Sequence, residues 1–398
     1  MSSYLIESKR ELCCGCRSCE QVCLKKCISM KVDLEGFLYP YIDRNNCNYC
    51  GQCQLACPIQ DGAYSNSMAL EHPDTYSLVH RDSEIREKSS SGGAFSAIVD
   101  AFCEKNCIIF GAGFDENLVV RHSYVTEIEE LTKFRKSKYV QSDMGNCYRE
   151  AQEFLNQGKE VLFSGTPCQI AGLKSFLNKD YDKLLCIDIS CHGVPSPKLF
   201  EIYKNYLEIR YKSSMIAMDF REKGYHGSAI SQITSVFANK KRYQSILFDD
   251  PYGIAFYKNL SLRPVCYECP FSGKKRVSDI TIADFWGYEV LKPHLNDNKG
   301  ISLVLVNTLK GQQVFEVVKG FADTESANLH EVLKFNHPLT FPAELNNNRD
   351  QFYHDLDKLS FDQIVKKYLK GRNPLRRLLS KLLNNEQKHK IKRLLKIG

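Results

Sequence analysis

Val161-Leu-Phe-Ser-Gly-Thr-Pro-Cys-Gln-Ile-Ala-Gly172 decides how the rest of the chain is read. Val161, Leu162 and Phe163 have the pattern of a short buried strand. Gly165, Thr166 and Pro167 form a tight turn, and Gln169 to Leu177 read as a helix. Cys168 falls where the strand gives way to the helix. Backbone N–H groups and the positive end of a helix dipole gather at such a point. Its thiol is therefore expected to have a lowered pKa and to bind metal or react. A second strand, Leu184 to Ile189, runs into Ser190-Cys-His-Gly-Val-Pro195 with the same layout. Cys266-Tyr-Glu-Cys269 follows much later. Cys168, Cys191, Cys266 and Cys269 are read as one buried cluster site on separated turns.

The 398 residues are enough for two or three domains with a sizeable core. No apolar run is long enough to span a bilayer. The first residues lack the apolar stretch of a secretory signal, so the chain is expected in the cytoplasm, where thiols stay reduced. Eighteen cysteines in that compartment point to metal rather than to disulfides. The net charge of +7 is not spread evenly. From Lys366 to Gly398 there are twelve Lys or Arg and one acid, which is +11 and leaves −4 for the rest. A mildly acidic body with a basic tail argues against a nucleic-acid-binding domain.

Ten of the eighteen cysteines lie between Cys13 and Cys57. One run is Cys13-x2-Cys16-x2-Cys19-x3-Cys23, the other Cys47-x2-Cys50-x2-Cys53-x3-Cys57-Pro58. This is the bacterial ferredoxin spacing written twice, in which three thiolates of one run and the last of the other grip each [4Fe–4S] cube. Cys13, Cys16, Cys19 and Cys57 are assigned to one cluster, and Cys47, Cys50, Cys53 and Cys23 to the other. Tetrahedral zinc does not require triplets of this kind. The first run departs from the pattern in Leu24, where proline is usual, and in the extra thiols Cys14 and Cys27. Ile28 to Val32 and Gly36 to Ile42 read as short strands between the runs.

His72-Pro73-Asp74 marks a domain boundary. Ser89-Ser-Ser-Gly-Gly93 then leads into a helix from Ala94 to about Lys105. It is either an anion site, where hydroxyls and N–H groups converge, or simply a helix cap. Cys107 to Phe114 and Leu118 to Val125 read as a hairpin, and Thr126 to Thr132 as a short helix. Lys138 is a partner for a cofactor phosphate or ring, or a solvated lysine. Cys103, Cys107, Cys147 and Cys186 fall in core patterns. Helix, strand and strand again follow from Pro197 through Met215–Phe220, Ala229–Phe237, Ser245–Phe248, Ile280–Ala283 and Ile301–Val306. Arg221 holds an anion or sits on a surface turn. Trp286 walls a flat cofactor or fills the core.

Six segments occur in a set order: Lys88-Ser-Ser-Ser-Gly-Gly93, Ser137-Lys-Tyr-Val-Gln141, Gly165-Thr-Pro-Cys-Gln169, Cys191-His-Gly193, Cys266-x2-Cys269 and Ser278-Asp-Ile-Thr-Ile-Ala-Asp-Phe-Trp-Gly287. From about residue 76 to about residue 340 the chain resembles the beta-subunit family of coenzyme F-420 hydrogenases and dehydrogenases, in which a preceding ferredoxin segment is also known. The resemblance implies an FAD-containing oxidoreductase with a [4Fe–4S] cluster held by Cys168, Cys191, Cys266 and Cys269. It places Ser91, Gly92, Gly93, Lys138, Tyr139 and Thr166 around FAD. His192 is the nearest candidate for an acid or base, and a structural hydrogen bond explains it equally well.

The expected fold is mixed α/β (α+β): a small dicluster ferredoxin domain over residues 1–75, then a mixed-sheet catalytic domain. The latter divides into 76–160, an N-terminal part, and 161–340, which carries the third cluster. Residues 341–398 are a basic amphipathic tail, with a helix from Asn373-Pro374 that lies on an anionic membrane surface or docks on the body. The expected function is exchange of a hydride or electron pair between FAD and an organic substrate, with single electrons passing through the clusters to or from a redox partner protein. Some relatives accompany surface-polysaccharide pathways, which supplies one context for the substrate. The alternative is an electron-transfer subunit without its own substrate. A third reading, a zinc-stabilised interaction protein, is the weakest.

Overall fold

Strands that are apolar on both faces need cover on both sides, and Val161-Leu-Phe and Leu184-Leu-Cys-Ile are of that kind. The computed structural model describes residues 9–60, 69–103, 106–224 and 227–371. It opens with helix α1 (Ser18–Val22), the hairpin β1 (Ile28–Val32) and β2 (Leu38–Ile42), and the short helix α2 (Gln52–Leu55). Strand β3 (Ala69–His80), helix α3 (Ala94–Phe102), and strands β4 (Ile108–Phe114) and β5 (Val120–Val125) follow. Next come α4 (Cys147–Asn156), β6 (Val161–Gly165), α5 (Pro167–Leu177), β7 (Leu184–Ile189) and α6 (Pro197–Tyr211). A meander of β8 (Met215–Gly224), β9 (Gly227–Phe237) and β10 (Arg242–Ile246) leads to α7 (Pro251–Tyr257). The chain continues through β11 (Ile280–Asp284), β12 (Ser302–Thr308), α8 (Leu309–Val318), β13 (Ala322–Ser326), α9 (Arg349–Leu356) and α10 (Phe361–Tyr368).

The main sheet has eight strands in the order β13-β3-β12-β11-β7-β6-β4-β5. Its centre, β11, β7, β6 and β4, is parallel, and the flanking pairs are antiparallel. Val161 and Phe163 pack with Ile108, Phe110 and Cys186 beneath α4 and α5. Leu162 points the other way, with Ile109, Leu185 and Ile187, beneath α3 and α8. Period-two alternation thus builds a three-layer α/β/α body. The fold is the expected mixed α/β sheet.

Three expectations change. His72-Pro73-Asp74 is not a linker, because it lies inside β3. The register with β12 shifts between Val306 and Thr308, and such a bulge tolerates a proline that has no N–H to give. Cys107, Cys147 and Cys186 are buried core residues as expected and Cys103 packs against the same core, but Cys103 and Cys107 are also bonded to each other as a disulfide where none was expected. The body extends beyond residue 340: Phe352, Tyr353, Phe361 and Ile364 of α9 and α10 are buried in the core shared with α6. The helix expected from Asn373 lies outside the described residues. No described helix is long and apolar enough to cross a membrane.

The N-terminal segment is fastened to the body by two buried arginines. Arg349 grips Glu35 with both terminal nitrogens and donates to the Leu262 carbonyl at 2.9 Å. Arg263 is fully buried, at 0% exposure. It donates to the carbonyls of Cys13 (2.5 Å) and Leu38 (2.8 Å) and to Gln141 Oε1 (2.9 Å). Its guanidinium also lies 4.2 Å from the ring centre of Tyr39. Gly172, on α5, leaves room for Cys16: a Cβ there would stand 2.9 Å from Cys16 Cβ.

Candidate functional site: a thiol-lined cavity beside a larger one

Thr166 starts α5 with a capping box to Gln169, and Pro167 occupies the first turn, where its missing N–H is not needed. Cys168 is therefore already inside the helix rather than ahead of it. Cys191 stands just past β7, Cys266 lies in the 3-10 turn Pro264–Glu268, and Cys269 ends that turn. The structure brings all four together on one small cavity, joined by Cys14 and by Arg263.

The electrostatics reverse the expectation of an acidic Cys168. Its hydrogen bond with the Cys14 thiol, together with burial, raises its pKa well above the ordinary thiol value. Burial and the neighbouring thiols raise Cys191 in the same way. Burial pushes Cys266 up to about 12 and Cys269 to about 11, while Arg263 and Arg276 respectively pull them back down. A half-charge at a helix end is outweighed by the loss of water and by like charges crowded together.

A second cavity, of about 640 Å³, opens at the carboxyl ends of β4, β6, β7 and β11. Ligands of parallel sheets are found at that edge. Ser91, Gly93, Lys138, Tyr139 and Thr166 line it. Gly92 does not; it is wedged against the sheet, where a Cβ would meet the Leu78 carbonyl at 2.1 Å. Lys138 is no solvated lysine. Its Nζ donates to the carbonyls of Lys133 (2.9 Å), Arg135 (2.7 Å) and Lys136 (3.3 Å), and burial pushes its pKa down to about 7. Arg221 is no surface turn either. It is buried and pairs with both oxygens of Asp284, at 2.6 and 3.2 Å. Trp286, 42% exposed, lines this cavity rather than filling the core.

The two cavities share Cys191, His192, Gly193 and Val194 as a common wall. His192 Nε2 donates to Asn259 Oδ1 at 2.6 Å, and burial lowers its pKa. The histidine is thus neutral with that proton committed, which is the structural bond foreseen as the alternative to acid–base work.

Residues 158–329 match the model of the family described as the C terminus of the coenzyme F420 hydrogenase/dehydrogenase beta subunit. The matched segment contains all four cysteines of the thiol cavity. No curated protein matches the chain. A solved chain from a xenon derivatization study of the F420-reducing [NiFe] hydrogenase complex of Methanosarcina barkeri is similar at 17% identity and a TM-score of 0.46, covering 78% of this chain and 99% of its own length.

Ahead of the matched segment, the two cysteine runs repeat one backbone. Gly15 and Tyr49 both have positive φ (71° and 58°), as do Arg17 and Gly51 (64° and 77°), which start α1 and α2. Gly15 N donates to Cys13 Sγ and Tyr49 N to Cys47 Sγ, each at 3.4 Å. Cys16 interacts electrostatically with Cys19 and Cys57, and Cys57 with Cys13. Cys53 interacts likewise with Cys47 and Cys50. Cys23 Sγ lies 3.4 Å from Cys27 Sγ, and Cys27 also contacts Cys47. Among the described residues, no three His, Cys, Asp or Glu side chains close on a single metal ion.

Sequence reasoning missed two features. Cys14 belongs with the Cys168 group, and only the docking of the first run on α5 puts it there. His122 is buried at the large cavity, donating from Nε2 to the Ser164 carbonyl (3.0 Å) and accepting from Ser142 Oγ at Nδ1 (2.9 Å). Gln169 Nε2 donates to the same Ser142 oxygen at 2.9 Å, while Gln169 Oε1 accepts from Thr166 N at 2.9 Å. The relay fixes the turn before Cys168, and burial pushes His122 down to about 4. Alternation along β5 puts His122 on the inner face with Val120, but gives no hint of a polar partner.

Proposed function

We propose that the chain is an iron–sulfur flavoprotein oxidoreductase that exchanges an electron pair with an organic substrate and single electrons with a redox partner. The observation that carries this reading is Arg263. A fully buried guanidinium with no carboxylate partner among the described residues stands on the wall of a cavity lined by five thiols. A buried charge needs a counter-charge. Four thiolates around an iron–sulfur group supply one, whereas Arg276, beside Cys269, already has the buried Asp188 carboxylate as its partner at 2.9 Å. Four thiols gathered on one cavity are a donor set that a [4Fe–4S] cluster would use.

Cys168, Cys191, Cys266 and Cys269 would hold that cluster. The N-terminal runs would hold two more, in the assignment drawn from their spacing, and the exposed Cys50 would put the outermost within reach of a partner protein. The larger cavity lies in the range of cofactor sites, roughly 300–1,000 Å³, and its fit is to FAD. Tyr139, Phe256 and Trp286 give aromatic walls, and the start of α3, with Ser91 and Gly93, would face a phosphate of the bound cofactor. Bound flavin supplies both two-electron and one-electron exchange. The shared wall from Cys191 to Val194 sets the two sites side by side. A cavity of this size favours an enzyme over a bare electron-transfer subunit. Peripheral membrane contact through the tail is part of the same proposal and rests on its sequence alone.

The test is the double variant Cys266→Ser/Cys269→Ser, purified anaerobically. About four of roughly twelve irons should be lost, since each cube holds four, with the two N-terminal clusters kept. An unchanged iron content refutes the assignment.

A further inference from the structure

The two cysteine runs meet different surroundings. Cys16, of the first run, is buried against α5, where Gly172 makes room for it. Cys50, of the second run, is exposed. Around Cys50 the surface is both apolar and basic. Tyr49 is 68% exposed, and Leu24, in the turn after the first run, is 92% exposed. That turn closes with Lys26 N donating to the Cys23 carbonyl at 3.1 Å, and its Lys25 and Lys26 are exposed. Asp43 N donates to the Cys27 carbonyl at 2.8 Å, which sets the lysine turn beside the loop that leads to Cys47. In that loop the Arg44 guanidinium lies 5.5 Å from the ring centre of Tyr49. Large apolar side chains left in water beside a charged rim mark a surface that another molecule covers.

The charges select the kind of molecule. Residues 9–60 carry seven Lys or Arg against five acids, while residues 61–365 carry a net −5. Four of the five acids are engaged locally. Glu20 pairs with Arg17 and Glu35 with Arg349. Asp33 Oδ1 accepts from Glu35 N at 3.0 Å and Phe37 N at 2.8 Å. Asp43 accepts from Asn45 N at 3.0 Å and Asn46 Nδ2 at 2.7 Å. Lys25 and Lys26 make no ion pair among the described residues. An acidic protein is therefore repelled by the body and drawn to this turn.

We propose that the surface formed by Leu24, Lys25, Lys26, Tyr49 and Cys50 docks an acidic one-electron carrier protein. This rests on reading the second run as a [4Fe–4S] site. Leu24 and Tyr49 give the contact its dry centre, and the two lysines steer and orient the carrier. One electron crosses between the cluster and the carrier's redox centre. One is oxidised and the other reduced by that electron, and no bond or proton changes hands.

The experiment is stopped-flow absorbance on the full chain, purified anaerobically, reduced with dithionite and desalted. The reduced chain is mixed with oxidised rubredoxin, a small acidic carrier, or with oxidised cytochrome c, a basic one, at low and at high salt. Each carrier takes one electron on its ferric iron. The proposal expects a rubredoxin rate constant that falls as salt rises. Lys25→Glu/Lys26→Glu should slow rubredoxin about tenfold or more at low salt and speed cytochrome c, with both differences shrinking at high salt. The control is Lys240→Glu/Lys241→Glu, which makes the same change of net charge on exposed residues elsewhere. Asn239 N bonds Ser213 Oγ at 3.0 Å, just past the end of α6, whereas the N-terminal segment meets the start of α6, where Lys198 Nζ donates to the Leu34 carbonyl at 2.6 Å. The two ends of α6 are about 22 Å apart, so this variant should stay close to wild type. If Lys25→Glu/Lys26→Glu comes out short of iron, Lys25→Gln/Lys26→Gln replaces it, with a smaller change in the same direction expected. Equal slowing by the two charge reversals shows an effect of net charge alone and overturns the proposal, as does a rubredoxin rate that salt and the lysine variants leave unmoved. A wild type whose absorbance dithionite does not bleach sinks the cluster reading itself; one that bleaches and shows none of these charge effects overturns the docking surface alone.

Discussion

Replacing Arg263 by Met should loosen the N-terminal segment from the body while leaving the fold of each intact. The guanidinium makes three hydrogen bonds, to Cys13 O, Leu38 O and Gln141 Oε1, and lies over Tyr39. Two of these acceptors are on the segment and one is on the body. Hydrogen bonds to a charged group contribute about 1.5–3 kcal/mol each, and an acceptor left buried and unpaired costs about 1–3 kcal/mol. Relief from burying the charge offsets part of the sum, and three acceptors left unpaired at about 1–3 kcal/mol each leave a net cost of about 3–5 kcal/mol. Met fills much of the volume, so little of that figure comes from a cavity. At 1.4 kcal/mol per decade, the opening equilibrium rises by roughly two to three and a half orders of magnitude. Amide hydrogen exchange reads this directly. Peptides covering residues 13–22 and 36–42 should lose about that much protection, while peptides from β6 and β7 keep theirs. Arg263→Lys, which retains a charge but not the fork, should fall between. A loss of less than tenfold in the segment peptides refutes the idea that this side chain is the clamp.

Gly172→Ala should displace the first run, because the added Cβ would meet Tyr148 Oη at 2.8 Å and Cys16 Cβ at 2.9 Å; overpacking of this kind costs about 1–3 kcal/mol, read as a lowered unfolding midpoint. Asp284→Asn leaves Arg221 buried with a neutral partner and should cost about 3–5 kcal/mol, measured by denaturant unfolding, with weaker FAD retention beside it. Lys138 has a folded pKa near 7, below its unfolded value. Between about pH 7 and the ordinary lysine range the unfolded chain holds a proton that the folded chain lacks, so this group makes stability rise with pH there. Lys138→Met should flatten that rise in unfolding curves taken at pH 7, 8 and 9.

The parallel core of the sheet was legible because β6 and β7 are short apolar runs with turn chemistry after them, and period two then settles which face each residue takes. The meeting of Cys168, Cys191, Cys266 and Cys269 on one cavity was legible because turns after strands are local. What sequence did not reveal depends on contacts between distant segments. Cys14 looked like an extra thiol of the first run, and only docking on α5 puts it on the cavity with Cys168. Arg263 reads as an ordinary arginine before a proline until the carbonyls of Cys13 and Leu38 arrive around it. β3 was hidden by His72-Pro73-Asp74, whose turn signals are accommodated by a bulge. The acidic thiol expected at Cys168 failed because the helix-end argument counts a partial charge and leaves out four neighbouring thiols.

The central claim is that the Cys168 cavity holds a cluster beside a flavin. An iron, sulfide and flavin count on the anaerobically purified chain tests it most directly. The account predicts about twelve irons and twelve sulfides with one FAD per chain. About eight irons and no flavin, after attempted reconstitution with both, would contradict it and leave two N-terminal clusters joined to a body whose thiols and buried arginine have no explanation.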